Sequence, residues 1–412
     1  MKTNKSTYGN NLDYGLNANI NTLVNKETIS RYLLNGSYAK PGTKHFLKGF
    51  KYKNIQSFNV SRVGISSLDE IEDYLRKNVR EILKKEKKIS LLLTSGLDSY
   101  LLYLILKSES NDFKSNNQIS FLTGRFDSPY DEYEVLKSKN KNIEIDNKCH
   151  RINNPTEMIQ LLRQAVIASN QPVNGLVASA VFKAISLANQ KNSIPVLGTG
   201  ETIFFTSSFN FIKEVNESET RNYSADKTIQ TLCDYLTDEG LRLAQKGQED
   251  LIKNDKKIFD YSGELEEFIH NQQFYIDAPR VDYEVASYCK FFNFKALTPL
   301  RDQKLLELFI RLPSNEQHDG NPKTVIRNLI KRIEESNDYV DGPNLKMTSP
   351  QRECLRNSFK EGGFSELVKY YIENSKLSEM NIVEKDKVDL AYKKYVNDYD
   401  EALNNNSFRE LS

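Results

Sequence analysis

The chain has 412 residues, with 57 Lys plus Arg against 56 Asp plus Glu and a formal net charge of +1. That length allows two or three domains around a large core, and the charge balance leaves no net field to recruit nucleic acid or a membrane surface. Cys149, Cys233, Cys289 and Cys354 are scattered with no CxxC pair, which points away from a zinc site or a disulfide framework and towards a reducing cytoplasm.

Residues 1–25 are polar and Asn-rich, carry no signal-peptide pattern, and offer little to bury. From Glu27 a short helix, a turn at Pro41-Gly42 and an apolar strand are expected. Ser67 and Glu70 form a capping box, followed by Leu68, Ile71, Leu75, Val79 and Leu83 on one helical face. Ile89 to Leu93 then reads as a buried strand of a parallel sheet. Thr94, Ser95 and Gly96 make a small polar turn, and Tyr100 to Leu106 is an apolar run suited to a buried helix. A strand, a small-residue loop and a helix N-terminus together present N–H groups to phosphate. Asp98 stands at the mouth of the turn, where a carboxylate beside phosphates can hold Mg²⁺. The plainer alternative is a strand-turn-helix of any α/β protein, with Asp98 and Ser99 as caps.

Further on, Gln118 to Thr123 reads as a second strand leading to Phe126, Asp127 and the pair Asp131-Glu132 at a helix start, where acids suit the macrodipole whatever the function. Leu161 to Pro172 and Ala178 to Ala188 read as two helices, and Ile194 to Gly200 as a third strand ending in a glycine turn. Ser207 to Glu267 is charged and helical in patches such as Ile229 to Ala244. Lys323 opens an amphipathic helix, either as a surface lysine or as a functional cation. After Gln351 the tail reads as helical, with Phe364, Leu367, Val368 and Tyr371 on one face.

Thr94-Ser95-Gly96-Leu97-Asp98-Ser99 resembles the PP-loop of the ATP pyrophosphatases, Ser-Gly-Gly-x-Asp-Ser, with Ser95 in place of the first glycine. It is neither a Walker A loop nor a GxGxxG fingerprint. From about Ile29 to Pro350 the chain resembles the asparagine synthetase family through short motifs in the same order. Tyr32, Leu33, Gly36, Pro41, Thr43, Lys48 and Gly49 resemble the passage from its glutaminase domain into its synthetase domain. Arg280-Val281-Asp282 resembles an Arg-x-Asp before a helix. Thr298-Pro299-Leu300-Arg301-Asp302 resembles Pro-Phe-Leu-Asp, although Lys295 and Leu297 replace the Glu and Arg before it. Lys323 to Arg327 resembles Lys-x-x-Leu-Arg, and Lys346 to Pro350 matches a further motif loosely. Gly198, Gly200 and Phe205 match Gly-Glu-Gly-Ala-Asp-Glu and its following Phe, but Thr199, Thr202 and Ile203 replace its Glu, Asp and Glu. Glu201 is displaced by one position and is the carboxylate left to join Asp98 on a metal.

The resemblance implies an α/β fold, a doubly wound, mostly parallel sheet with additional helices. It divides the chain into an N-terminal remnant (1–66), an ATP pyrophosphatase domain (67–350) and a helical tail (351–412). It implies ATP and Mg²⁺ as cofactors, and a carboxylate that is adenylated, releases pyrophosphate and passes to an amine. Thr94, Ser95, Gly96, Leu97 and Ser99, with Gly198 and Gly200, would bind the nucleotide. Asp98 and Glu201 would hold the metal, and Lys323 and Asp98 would act in catalysis. Lys2 stands where a glutaminase needs its cysteine, so the amine is expected to be ammonia or an amine of the substrate, as in the ring-closing β-lactam and lasso-peptide macrolactam synthetases. Expected partners are a small-molecule or peptide carboxylate and an amine, with room for a homo-oligomer or a biosynthetic partner protein. A tRNA-acting PP-loop enzyme is disfavoured by neutral charge and absent CxxC. A non-catalytic nucleotide-binding scaffold stays open because of Thr199, Thr202 and Ile203.

Overall fold

The computed structural model describes residues 25–29, 63–112, 118–123, 125–126, 132–141, 143, 145, 151–152, 155–171, 173, 175–198, 235–254, 278–317, 319, 323–334, 338–341 and 364–397. The chain is α/β, with a small parallel sheet among many helices. Helix α1 (Leu68–Lys85) starts as expected: Ser67 Oγ accepts from Glu70 N–H and the Glu70 carboxylate accepts from Ser67 N–H. Ile71, Leu75, Val79 and Leu83 are its buried stripe.

Strand β1 (Lys88–Leu92) follows, then α2 (Leu97–Asp112), β2 (Gln118–Leu122), β3 (Arg125–Phe126) and α3 (Glu132–Lys139). Next come β4 (Arg151–Ile152), α4 (Pro155–Ser169), α5 (Gly175–Gln190) and β5 (Ile194–Leu197). The main sheet has the order β2-β1-β5, all parallel, with β1 in the middle. A separate two-stranded sheet pairs β3 with β4. Asp127 and Asp131 lie outside the described residues, while Glu132 opens α3.

Side chains alternate across a strand, and the two faces of β1 are both used. Ile89 and Leu91, with Leu93 just beyond the strand, join Leu75, Leu101 and Leu329 in the larger core. Leu92 and Leu197 pack instead with Leu161, Phe182 and Val285 in a second core. Helices therefore cover both faces of the sheet. Leu297 extends it past β5: Leu197 N–H donates to Leu297 O and Leu297 N–H to Pro195 O, each at 2.9 Å.

The later elements are α6 (Asp238–Asn254), α7 (Ala278–Phe291), α8 (Gln303–Ile310), α9 (Ser314–Gln317), α10 (Thr324–Glu334), α11 (Asp338–Asp341), α12 (Phe364–Glu373), α13 (Lys376–Glu379) and α14 (Lys385–Asn397). Two expectations shift here. The helix expected from Ile229 starts at Asp238, because Leu236 pairs with Val383 and Thr237 Oγ1 accepts from Gly240 N–H; residues 229–234 lie outside the described residues. Arg280-Val281-Asp282 lies within α7 rather than before it, since the helix already begins at Ala278. Lys346 to Pro350 lies outside the described residues.

Polar contacts also tie α1 to its neighbours. Glu109 on α2, 1 % exposed, accepts from Arg80 Nε at 2.5 Å and from Arg76 Nη1 at 3.1 Å. Burial pushes its carboxyl up, but the two arginines outweigh that and hold it below the ordinary value. Tyr74 OH donates to Asp302 Oδ1 at 2.8 Å, while the same carboxylate caps α8 through Lys304 and Leu305 N–H. Burial first, then that carboxylate, pushes the Tyr74 phenol up to about 12.

A third, smaller core lies apart from these. Ile29, Leu236, Ala244, Met380 and Ile382 form it, joining the tail to α6 and to the helical turn at 26–29. Among the described residues no helix is long and apolar enough to cross a membrane.

Candidate functional site at the end of the central strand

The loop between β1 and α2 is held largely by one hydroxyl. Ser99 Oγ accepts from Thr94 N–H at 3.0 Å and lies within 3.1 Å of the Thr94 and Gly96 carbonyls. Its remaining neighbour is Thr94 Oγ1 at 3.0 Å, which also accepts from Gly96 N–H at 3.2 Å. Leu93 N–H still donates to Leu122 O, so the sheet ladder runs to the edge of the turn. The result is a tight loop with two sides. Thr94 and Gly96 are exposed, whereas Ser95, Leu97 and Ser99 are buried. Of the residues expected to line a phosphate cradle, Ser99 has its hydroxyl turned to the loop's own backbone.

Gly198 meets this loop from the end of β5. A Cβ there would stand 2.8 Å from Ser99 N and 2.9 Å from Ser99 Cα, closer than packed atoms allow. Glycine is what lets the strand end abut the first turn of α2. Thr199, Gly200, Glu201, Thr202 and Ile203 lie outside the described residues.

The second specific motif arrives from 225 residues away: the Lys323 ammonium ion-pairs with the Asp98 carboxylate. Asp98 is 7 % exposed, at the rim of the loop. Lys323 takes a left-handed backbone, φ +61°, immediately before α10. That conformation is uncommon for a side-chain-bearing residue. Thr324 fixes the turn, its buried hydroxyl donating to Asp319 Oδ1 at 2.7 Å while accepting from Asp319 N–H. Helix α10 then packs against α2 through Val325, Ile326, Leu329 and Ile330. Arg327, the last residue of that motif, points elsewhere: its Nη1 donates to Val340 O at 3.1 Å.

Behind the loop is a cluster that spacing did not disclose. Tyr339 on α11 donates its hydroxyl to Ser95 O at 3.3 Å and stacks on Tyr100. Tyr100 OH bonds the Glu334 carboxylate and accepts from Asn140 Nδ2 at 2.9 Å. Burial, then the Glu334 contact, pushes the Tyr100 phenol well up. Lys139 Nζ stands 4.6 Å from the Tyr339 ring centre. Its members come from α2, the end of α3, α10 and α11, so no local pattern marks the group.

Among the described residues no three His, Cys, Asp or Glu side chains converge. Magnesium is commonly held by one or two carboxylates plus substrate phosphates, and Asp98, beside an exposed small-residue turn, offers one. Its pairing with Lys323 shows that this carboxylate accepts a cation. A family model described as asparagine synthase matches residues 70–409. No curated protein matches the chain.

Proposed function

The chain belongs to the asparagine synthase family, and from that premise we propose that it is an AMP-forming amide ligase with its site at the loop between β1 and α2. The family implies ATP-dependent amidation in general. In this reading a carboxylate attacks the α-phosphate of ATP, pyrophosphate leaves, and an amine displaces AMP from the acyl-adenylate. The amine is ammonia or a group of the substrate itself, the second giving ring closure on a small molecule or peptide. The sheet fits the doubly wound arrangement whose ligands bind at the carboxyl ends of the strands.

One observation carries the reading: two motifs 225 residues apart, each suited to nucleotide chemistry, meet as the Lys323–Asp98 pair. The exposed side of the turn, Thr94 and Gly96, would receive pyrophosphate. Asp98, with Glu201 further along the sequence, would hold Mg²⁺, which neutralises phosphate charge when bound. Lys323 would then face the reacting phosphate, where charge builds during transfer. A cation fixed in advance there costs no reorganisation at that moment.

The test is pyrophosphate release from Mg-ATP with pools of carboxylates, comparing the parent with Lys323→Ala. Loss of one preorganised charge-stabilising donor typically slows turnover by roughly 10²–10³. ATP affinity should change far less. Equal rates in both proteins would remove Lys323 from the mechanism. Tight ATP binding with no pyrophosphate from the parent would instead indicate a nucleotide-binding scaffold.

A further inference from the structure

We propose that Tyr339 is a positioning residue that sets the nucleotide loop from behind through its hydroxyl. The role presupposes ATP binding at Thr94–Ser99. The argument begins with the peptide unit joining Ser95 to Gly96. A trans peptide is planar, with its C=O and N–H pointing in opposite directions. Tyr339 OH holds the Ser95 carbonyl on the buried side of the loop. The Gly96 N–H is thereby turned to the exposed side, where it meets Thr94 Oγ1 at 3.2 Å. Releasing the carbonyl frees that plane to rotate, and the outward N–H loses its fixed direction.

Tyr339 is well fitted to hold such a pin. It is 1 % exposed, stacked on Tyr100, and covered by Lys139. Arg327 grips the next carbonyl, Val340 O, from α10. Since Lys323 stands at the head of that same helix, the joined pair α10 and α11 contacts the loop twice: Lys323 at Asp98 and Tyr339 at Ser95. This also gives Arg327 a structural account, as the clasp between α10 and α11.

Tyr339→Phe keeps the ring and removes only the hydroxyl. Binding of Mg-ATP, Mg-pyrophosphate and AMP should be measured by calorimetry on the full chain, with thermal unfolding in parallel. A neutral hydrogen bond is worth a factor of about two to ten. The variant should lose that factor for ATP and pyrophosphate, keep its AMP affinity, and unfold within a few degrees of the parent. AMP serves as the control because it lacks the pyrophosphate that the loop would hold. Unchanged ATP and pyrophosphate affinity in the variant would overturn the positioning role while leaving the ligase reading intact. Parallel weakening of all three ligands with a lowered unfolding temperature would reduce Tyr339 to a packing residue. No binding of ATP or pyrophosphate to the parent would overturn both readings together.

Discussion

The core around β1 and the small core around Met380 hold their polar groups in different ways. In the first, charged and hydroxyl groups are buried or half-buried and paired over long distances: Lys323 with Asp98, Tyr339 with Ser95 O, Tyr74 with Asp302. In the second, apolar residues meet beneath exposed ion pairs, some local such as Arg242–Glu239 and Lys376–Glu379 and one, Lys246–Glu27, linking distant segments. Surface pairs of that kind are worth little, so the small core rests on burial and close backbone approach. Buried polar pairs are a poor way to gain stability but a good way to fix geometry. The contrast separates a region built to hold a site from one built to hold itself together.

The harshest way to sharpen that contrast, after removal of Lys323, is Gly198→Ala. Its Cβ collides with the backbone of Ser99 rather than with a flexible side chain. A stability loss of about 1–3 kcal/mol is expected from such overpacking, together with clearly weaker ATP binding, both measurable on one sample by denaturant titration and calorimetry. Full ATP affinity in this variant would show that the strand end does not shape the loop.

Gly240→Ala is the matched change in the small core, where the new Cβ would clash with Ile382 O. Hydrogen exchange should speed up in residues 376–397, while ATP affinity stays that of the parent. Loss of ATP binding would break the separation drawn between the two regions.

The mildest effect is expected at Tyr74. Its phenol is raised from 10.0 to about 12, so the folded state keeps the proton longer than the unfolded chain does. The resulting stability is complete below pH about 10 and fades as pH climbs towards 12. Tyr74→Phe should flatten that alkaline decline in an unfolding series, and an unchanged profile would rule the pair out as its source.

What could be read from the residues is what is local. The capping box at Ser67, the apolar strand at Ile89 and the Thr94–Ser99 turn depend on neighbours a few positions away. Lys323 was legible because its motif carries its own spacing. Tyr339, Asn140, Glu334 and the Arg76–Glu109–Arg80 group were not, since each is defined by a partner on another element. Ser99 illustrates a subtler limit. Its place in the loop motif was visible, but the inward turn of its hydroxyl depends on backbone geometry. In the tail, Tyr371 was expected on the packed face of α12, yet it is exposed beside Tyr370, because the tail buries Met380, Ile382 and Tyr392 instead.

The distance along the chain between Asp98 and Lys323 has a consequence for synthesis. Strand β1 can pair with β2 soon after both leave the ribosome, but the hydroxyl pair Ser90–Ser193 waits for 103 further residues, and the cation at Asp98 for 225. Contacts so remote close late, because the loop entropy has to be overcome before they repay it. A nascent chain halted before residue 323 thus lacks both the lysine that pairs with Asp98 and the Tyr339 hydroxyl that bonds Ser95 O. The assembled Thr94–Ser99 loop is therefore a late product of synthesis, finished only once α10 and α11 have emerged and docked.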